Sequence, residues 1–294
     1  MRNLDLDALQ IFKAVVDYGS ITNAAAQLNR VQSNITTRVQ QLEQRLGVTL
    51  FHRRGGKLIA SDEGMLLHQY AEKLLRLAGE AETALRRGAL QGTLRIGTLE
   101  STAAARLPAL LSSYHERYPD VQIELVSGSS DALIAQVHRG DIQAAFVSDP
   151  FSAAGLDNQE AFVEELALIV ASNSTVENAR ALQGSTIIAF ARGCSYRRIL
   201  ESWLTTCEVV PTRFLELASY HAIAACVAAG TGVAIMPQSV LRAVQVQSLV
   251  KALPLPPGVA RVRTHLVWRS GQGSGVLQTL LEELARHRGT PLPR

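Results

Sequence analysis

The stretch Ser20–Gly47, SITNAAAQLNRVQSNITTRVQQLEQRLG, decides the reading of this chain. Its first part predicts a short helix over Thr22–Leu28, capped by Ser20 or Thr22, whose Ala24, Ala25 and Ala26 let a neighbouring helix approach closely. After a break at Asn29–Val31, Ile35, Val39, Leu42 and Leu46 recur at helical spacing until Gly47 stops the helix. Two short helices across a tight break, the second amphipathic, make a helix-turn-helix. Upstream, Leu6, Leu9, Phe12 and Val16 predict a first helix ending at Gly19. Downstream, Leu50–Ile59 reads as strand, glycine turn and strand, with Arg53, Arg54 and Lys57 at the tip. Such a wing suits a minor groove or its phosphates.

Projecting the second of these two helices at about 100° per residue gathers Ser33, Thr36, Thr37, Gln40 and Gln44 roughly opposite its apolar stripe. Hydroxyl and amide groups hydrogen-bond base edges without the desolvation cost of a carboxylate, and Arg38 and Arg45 lie beside them for phosphates. The same polar face would also serve as plain solvated surface. Residues 1–58 hold eight basic side chains against four acidic ones, net +4, while the rest of the chain nets −1. The excess charge thus sits where an electrostatic partner such as nucleic acid would be sought. Because 25 of the 29 basic residues are arginine, a compositional bias is the competing explanation.

From Ser61, an N-cap followed by Asp62 and Glu63, a long helix is predicted to about Arg87. Leu67, Ala71, Leu74, Ala78, Ala81 and Leu85 form a heptad-like seam along it. A stripe this narrow favours pairing with a second copy over packing within one chain. Beyond Gln91 and Gly92, strands are expected at Thr93–Leu99, Val121–Val126, Ala144–Val147, Leu166–Ala171, Thr186–Phe190, Gly232–Ile235 and Thr264–Trp268. Helices are expected between them at Thr102–Tyr118 and near 131–139, 196–206, 219–229 and 274–288. This alternation argues for an α/β region with largely parallel sheets, as one large domain or two lobes. The organisation so read is a head over 1–60, a linker helix over 61–90 and an α/β region over 91–294.

Several classes are excluded. With 294 residues, 47% apolar and net charge +3, the chain is not disordered. Cys194, Cys207 and Cys226 are odd in number and lack C-x-x-C spacing, so no disulfide scaffold is expected. Met1–Leu9 has no apolar run of a signal peptide, so a cytoplasmic location is expected. The charge-free stretch Leu217–Leu241 is cut by Gly230, Gly232 and Pro237, which suits helix, turn and buried strand better than a membrane span. The seven histidines show no metal-like spacing, and H-E-x-x-H, G-x-S-x-G and G-x-x-x-x-G-K motifs are missing. Gly271, Gly273 and Gly275 lack the last glycine of a dinucleotide loop. No catalytic residue, cofactor or metal is therefore expected.

Over essentially its whole length the sequence resembles the LysR-type transcriptional regulators. The residues that carry the likeness are Leu9, Phe12, Val15, Gly19-Ser20, Ala24-Ala25, Leu28, Gln32, Leu42-Glu43, Leu46-Gly47 and Leu50-Phe51-x-Arg53. Looser matches follow at Gly92–Gly97, Leu107-Pro108, Tyr118-Pro119-x-Val121 and Gly230-x-Gly232-Val233-Ala234-x-Met236-Pro237. The resemblance implies a winged helix-turn-helix, a linker helix and an effector domain like periplasmic binding proteins. That domain would have a first lobe at about 91–162 and 266–294 and a second at about 163–265, joined by two crossing strands. It further implies a homodimer or homotetramer on pseudo-palindromic promoter DNA, a small-molecule effector in the cleft, and contact with RNA polymerase. By position Gln32, Ser33, Thr36 and Arg38 carry over as groove contacts and Arg53 as the wing contact; Arg30, Asn34, Thr37 and Arg54 rest on the physical reading alone. Where the family often has Ser-Gln-Pro, this chain has Val31-Gln32-Ser33, so the capping serine is missing and Ser33 is the substitute cap.

In folds of this type ligands bind at strand carboxyl ends and helix N-termini. Thr98, Glu100, Ser101 and Thr102, then Ser127 and Ser129 in the turn Ser127–Ser130, and Ser148 should line the first lobe's wall. Ser195, Tyr196, Arg197, Tyr220 and His221 should line the second. Any one of these hydroxyls would equally serve as a helix cap. Arg192 and Arg197 would clamp an anion, whereas Glu100, Asp131 and Asp149 would attract an amine. Arg30–Arg38, Leu99–Ala104 and Cys194–Arg198 are similar to a subgroup that includes a putrescine-utilisation regulator, which implies a diamine or amino-acid effector with its ammonium on Glu100. Two other readings stand beside this one. By the resemblance, a redox-sensing member would have its reactive cysteine directly before an aromatic–Arg pair, here Tyr196-Arg197, where Ser195 stands and Cys194 is one position off. A small-molecule binding protein without DNA activity would use the N-terminal helices as an interaction module.

Overall fold

The computed structural model describes residues 4–54, 57–85, 90–271 and 273–287; of 53, 54, 57, 80 and 83–85 it describes the backbone alone. The chain divides into two compact units, Met1–Arg87 and Gly88–Arg294.

In the first unit, α1 (Leu6–Tyr18), α2 (Ile21–Gln27) and α3 (Gln32–Leu46) precede a hairpin of β1 (Phe51–Arg54) and β2 (Lys57–Ala60), and α4 (Asp62–Leu85) closes it. Ser20 caps α2, its Oγ accepting from Asn23 N–H at 3.1 Å. The first residue outside α3 is Val31, which makes no side-chain cap, so Ser33 is not the substitute cap its position suggested. A β-hydroxyl inside the first turn no longer faces the free N–H groups that an N-cap side chain reaches. Gly47 ends α3 at φ 74°, a backbone region that costs a β-carbon residue strain. Leu9, Phe12, Leu42, Leu50 and Ala71 form one core cluster; Ile11, Val15, Ala24, Ala25, Ile35 and Val39 form another. Truncating one of the large members typically costs about 2–5 kcal/mol. Gly64 is required by proximity, because a β-carbon there would lie 2.3 Å from the Leu50 carbonyl oxygen.

The second unit opens with β3 (Gly92–Thr98), α5 (Glu100–Ala105), α6 (Leu107–Arg117), β4 (Val121–Ser127), α7 (Ser130–Arg139) and β5 (Ala144–Ser148). The expected single helix over Thr102–Tyr118 is broken at Arg106, because Pro108 lacks the N–H a continuous helix needs and its ring clashes with the preceding turn. Then β6 (Leu156–Ala171) runs for 16 residues. There follow β7 (Thr186–Ala189), α8 (Ser195–Thr206), β8 (Arg213–Glu216), α9 (Tyr220–Ala228), β9 (Ala234–Pro237), α10 (Gln238–Ala243) and β10 (Val250–Pro254). The unit ends with α11 (Pro257–Ala260), β11 (Arg261–Arg269) and α12 (Gly275–His287). The charge-free stretch from Leu217 thus holds α9, a glycine turn and β9, and no helix among the described residues is long and apolar enough to cross a membrane.

Two lobes share β6 and β11. The first half of β6 pairs antiparallel with β11, which pairs antiparallel with β5; β3 lies parallel between β5 and β4. The second half of β6 pairs antiparallel with β9 and β10, while β7 and β8 run parallel and join β9 through the Ile187–Val233 bridge. Val262 at the start of β11 belongs to the second lobe's core and Leu266 to the first's, so β11 crosses back where β6 crossed over. The expectation of largely parallel sheets is therefore corrected to mixed sheets. Two strands that cross in opposite directions impose antiparallel pairing on whatever joins them. The unanticipated segments, the first half of β6 together with β8 and β10, are polar or exposed.

Candidate DNA-binding face and inter-lobe cleft

On the first unit, α3 buries Ile35, Val39 and Leu42 and turns the opposite side outward. Gln32, Ser33, Asn34, Thr37, Gln40 and Gln44 are exposed; Thr36 and Arg38 are half-buried. Val31, Ser33, Asn34, Thr37, Arg38 and Gln41 line an open groove of about 520 Å³. Gln41 is the member that sequence reasoning missed, although it lies one turn beyond Thr37 on the same face. Thr36 Oγ donates to the Gln32 carbonyl at 3.0 Å, so its hydroxyl proton is spent within the helix and only its lone pairs face outward. The arginines flanking this face are paired with acids of α1: Arg30 with Asp7, and Arg38 Nη1 at 3.9 Å from Asp5 Oδ2. Arg53 and Arg54 occupy the end of β1 beside the turn, and their side chains lie outside the described residues.

The expected seam on α4 divides. Ala71 is fully buried and Leu67 and Leu75 pack beside it in the head's own core, so Leu67 and Ala71 face inward. Among the described residues of α4, the exposed large apolar side chains are Met65, Leu66, Tyr70, Leu74 and Leu77. Ala78 is half-buried and Ala81 exposed, and the Leu85 side chain lies outside the described residues. The heptad count could not tell which of two adjacent stripes the winged head would claim.

In the second unit the expected cleft residues converge at the junction of the lobes, and they touch. Ser130 Oγ and Ser195 Oγ are 3.0 Å apart, and Ser195 Oγ donates to the Ser148 carbonyl at 3.0 Å. Ser101 Oγ reaches Tyr196 Oη at 3.4 Å, and Tyr220 N–H donates to Glu100 Oε1 at 3.3 Å. Arg198 donates to the Pro150 carbonyl and lies 3.5 Å from Asp131. The N-termini of α5 and α7 in one lobe therefore face those of α8 and α9 in the other across a seam of hydroxyls. Beneath it, Glu164 on β6 is buried between Arg106, which donates to both its oxygens, and Ser239 of α10, which donates to Oε2. Glu164 thus takes one partner from each lobe.

Other candidates fall elsewhere. Thr98 and Thr102 are buried, Thr98 Oγ donating to the Leu99 carbonyl. Ser129 caps α7, accepting from Ala132 N–H at 3.4 Å, and its neighbour Ser130 makes the cross-lobe contact. Ser127, His221 and Arg192 are exposed. Arg197 does not offer its charge to an anion: it is buried, donates to Glu201, Glu216 and the Phe190 carbonyl, and lies over the Phe214 ring. Sequence reasoning missed Thr264, which faces Ser148 across β11 and β5. Ser148 Oγ, Thr264 Oγ1 and Glu100 Oε2 are all buried without a hydrogen-bond partner.

Burial sets the acid–base character of this seam. It pushes the Tyr196 phenol up to about 12, with the Glu164 charge adding to the effect, and raises Tyr220 and Glu100 above their ordinary values. Burial likewise pushes the Cys194 thiol up, against hydrogen bonds from Arg197 and Tyr196 N–H groups. Cys194 is partly buried and packs against the second lobe's core. A small cavity with about 10 Å³ open to water, the room of roughly one molecule, lies below it between Phe190, Leu200, Tyr220 and Ile235.

Comparison with known proteins agrees with both units. Residues 6–65 match the bacterial regulatory helix-turn-helix protein of the lysR family, and residues 87–289 match the LysR substrate binding domain. The HTH-type transcriptional regulator YusT of Bacillus subtilis is 36% identical over 276 residues, 93% of each chain. CzcR of the same organism is 34% identical over 287 residues, covering 97% of this chain and 98% of that one. Among solved structures, full-length CbnR bound to its target DNA aligns with TM-score 0.70 at 22% identity, over 96% of this chain and 99% of that one. A full-length OxyR variant from Pseudomonas aeruginosa aligns with TM-score 0.69 at 19% identity, over 97% and 94%. Helix-turn-helix head, linker helix and two-lobed domain together place the chain in the LysR family: it is a LysR-type DNA-binding transcriptional regulator with an effector-binding domain.

Proposed function

We propose that this regulator reads promoter DNA in the cytoplasm with the exposed face of α3 and the wing, as a homodimer or homotetramer, and answers to a small amine-bearing metabolite, a diamine or an amino acid, held between its lobes. Gln32, Ser33, Asn34, Thr36, Thr37 and Gln41 would meet base edges, with Arg53 and Arg54 on phosphates. The open groove over Ser33, Asn34 and Thr37 carries this part. A Thr36→Ala/Arg53→Ala protein is expected to lose promoter binding in a gel shift while keeping its melting point; unaltered binding would move the DNA contact off this face, and a wild type that shifts no promoter would leave a small-molecule binding protein without DNA activity. Pairing would use Leu66, Tyr70, Leu74 and Leu77, and Leu77→Asp should yield monomers in sedimentation. Contact with RNA polymerase is expected of the assembled regulator.

The effector reading rests on one observation: Glu100 Oε2 is buried at the lobe junction with no partner. An ammonium would satisfy it, and Ser148 and Thr264 offer further acceptors. The Arg197 charge, by contrast, is already met by Glu201 and Glu216. A ligand that binds only the folded chain raises its melting midpoint. Melting the full chain against diamines, amino acids and organic acids should give a hit among the amines that Glu100→Gln abolishes. A hit confined to organic acids would overturn the amine reading and turn attention to Arg192. The population of closed lobes, and with it the spacing of DNA-binding heads, would then shift by the ligand's differential affinity for that state.

A further inference from the structure

Asp5 and Asp7 stand at the start of α1, and both reach arginines that frame the recognition helix. Arg30 grips Asp7 with both terminal nitrogens, Nη1 to Oδ2 at 3.0 Å and Nη2 to Oδ1. Arg38 Nη1 lies 3.9 Å from Asp5 Oδ2, and Asp5 also caps α1 by accepting from Asp7 N–H at 3.0 Å. All four side chains stay partly open, at 35% exposure for the first pair and 41% for the second. The Arg30 hydrogen bond holds the Asp7 carboxyl below its ordinary range, so the acid is charged under any physiological condition. Part of the positive excess counted over residues 1–58 is therefore cancelled at the edge of the face meant for DNA.

We propose that Asp7, supported by Asp5, masks Arg30 and sets the head's electrostatic hold on DNA, so that the head gains less from phosphates of any sequence. Non-specific binding is almost wholly the counterion term of cations on phosphates, whereas base reading by Ser33, Asn34, Thr37 and Gln41 depends on neutral hydrogen bonds. A phosphate that approaches Arg30 must displace a forked carboxylate and bear its like charge. The mask lowers affinity for every duplex by the same electrostatic factor, so base reading supplies a larger share of the binding that remains.

The test compares the full-length wild type, Asp7→Asn, Arg30→Gln and the double variant. Each is titrated by fluorescence anisotropy, over a range of salt, against a duplex enriched by the wild type from a random pool and against its scrambled counterpart. Asparagine keeps an acceptor for Arg30 and no N-cap is removed, so the head should stay folded. Unmasking one cation per head should steepen the logarithmic salt slope by about 0.9 per head, worth about fivefold in affinity per head near ~0.15 M salt. Both duplexes should gain that factor, and the double variant should lose the gain. A gain that persists without Arg30 would mean a general charge effect and would overturn the proposal. Equal weakening on both duplexes with an unchanged slope would overturn it too, leaving a structural tie between α1 and the turn before α3.

Discussion

The recognition face of α3 and the seam between the lobes are made of the same side chains, serines, threonines and a few arginines, in opposite states. On α3 the groups face outward and stay open: Ser33, Asn34 and Thr37 are exposed, and Thr36 is only half-buried. In the seam Ser130, Ser148, Ser195 and Thr264 are all below a tenth exposed; the Ser130 and Ser195 hydroxyls meet across the lobes, while those of Ser148 and Thr264 are buried without a partner. Hydroxyls in water exchange partners at almost no cost, while buried ones cost about 1–3 kcal/mol when a partner is removed. The first surface is suited to a macromolecule that brings its own hydrogen bonds, and the second to a small group that supplies the partners its buried hydroxyls and carboxylate lack.

The comparison can be broken most forcefully at Glu164. Glu164→Ala strands the Arg106 guanidinium and the Ser239 hydroxyl, and should lower stability by about 3–5 kcal/mol in denaturant unfolding. A loss below about 1 kcal/mol would mean that this tie between the lobes is not the strong one. Next in size, Ser195→Ala leaves Ser130 and the Ser148 carbonyl short of a partner and should cost about 1–3 kcal/mol. On the other side of the comparison, Thr37→Ala should leave stability within about 0.5 kcal/mol while costing about 1–3 kcal/mol in discrimination at one base pair. If its melting point falls as far as that of Ser195→Ala, the contrast between the two hydroxyl sets fails. The smallest effect concerns pH. Burial raises the Glu100 carboxyl above its ordinary value of 4.5, so the stability linked to its protonated form is complete below that value. It is lost as pH climbs through the raised value. Glu100→Gln should therefore flatten the stability profile above pH 4.5, and an unchanged slope would show that the ionised form is already solvated.

Much of the head could be read in advance because its signals are local. Helical spacing, the Ser20 cap and the Gly47 stop need no knowledge of distant residues, and each lies within a residue or two of the expected place. The seam on α4 was misread at Leu67 and Ala71 because two adjacent stripes, 67–71–74 and 66–70–77, are both apolar and only the position of α1 decides between them. Strands β8 and β10 escaped notice since their exposed side chains carry no alternation, and the first half of β6 because partners on β11, a hundred residues away in sequence, hold it. In the cleft, Glu100, Ser101, Tyr196 and Tyr220 were legible as residues after strand ends and at helix starts. Thr264 and Glu164 were not, since nothing near them in sequence marks a strand position as a lobe junction.

By itself the sequence determined the winged helix-turn-helix, the uncharged polar face of its recognition helix and the alternation of an α/β domain. These follow from periodicity and capping, which act over a few residues. The tertiary structure alone decided which arginines already hold a carboxylate, which stripe of α4 remains outside, and which hydroxyls are buried against one another. Those outcomes depend on burial and on partners distant in the chain, and a charge or a hydroxyl has no fixed role until its neighbours and its distance from water are set.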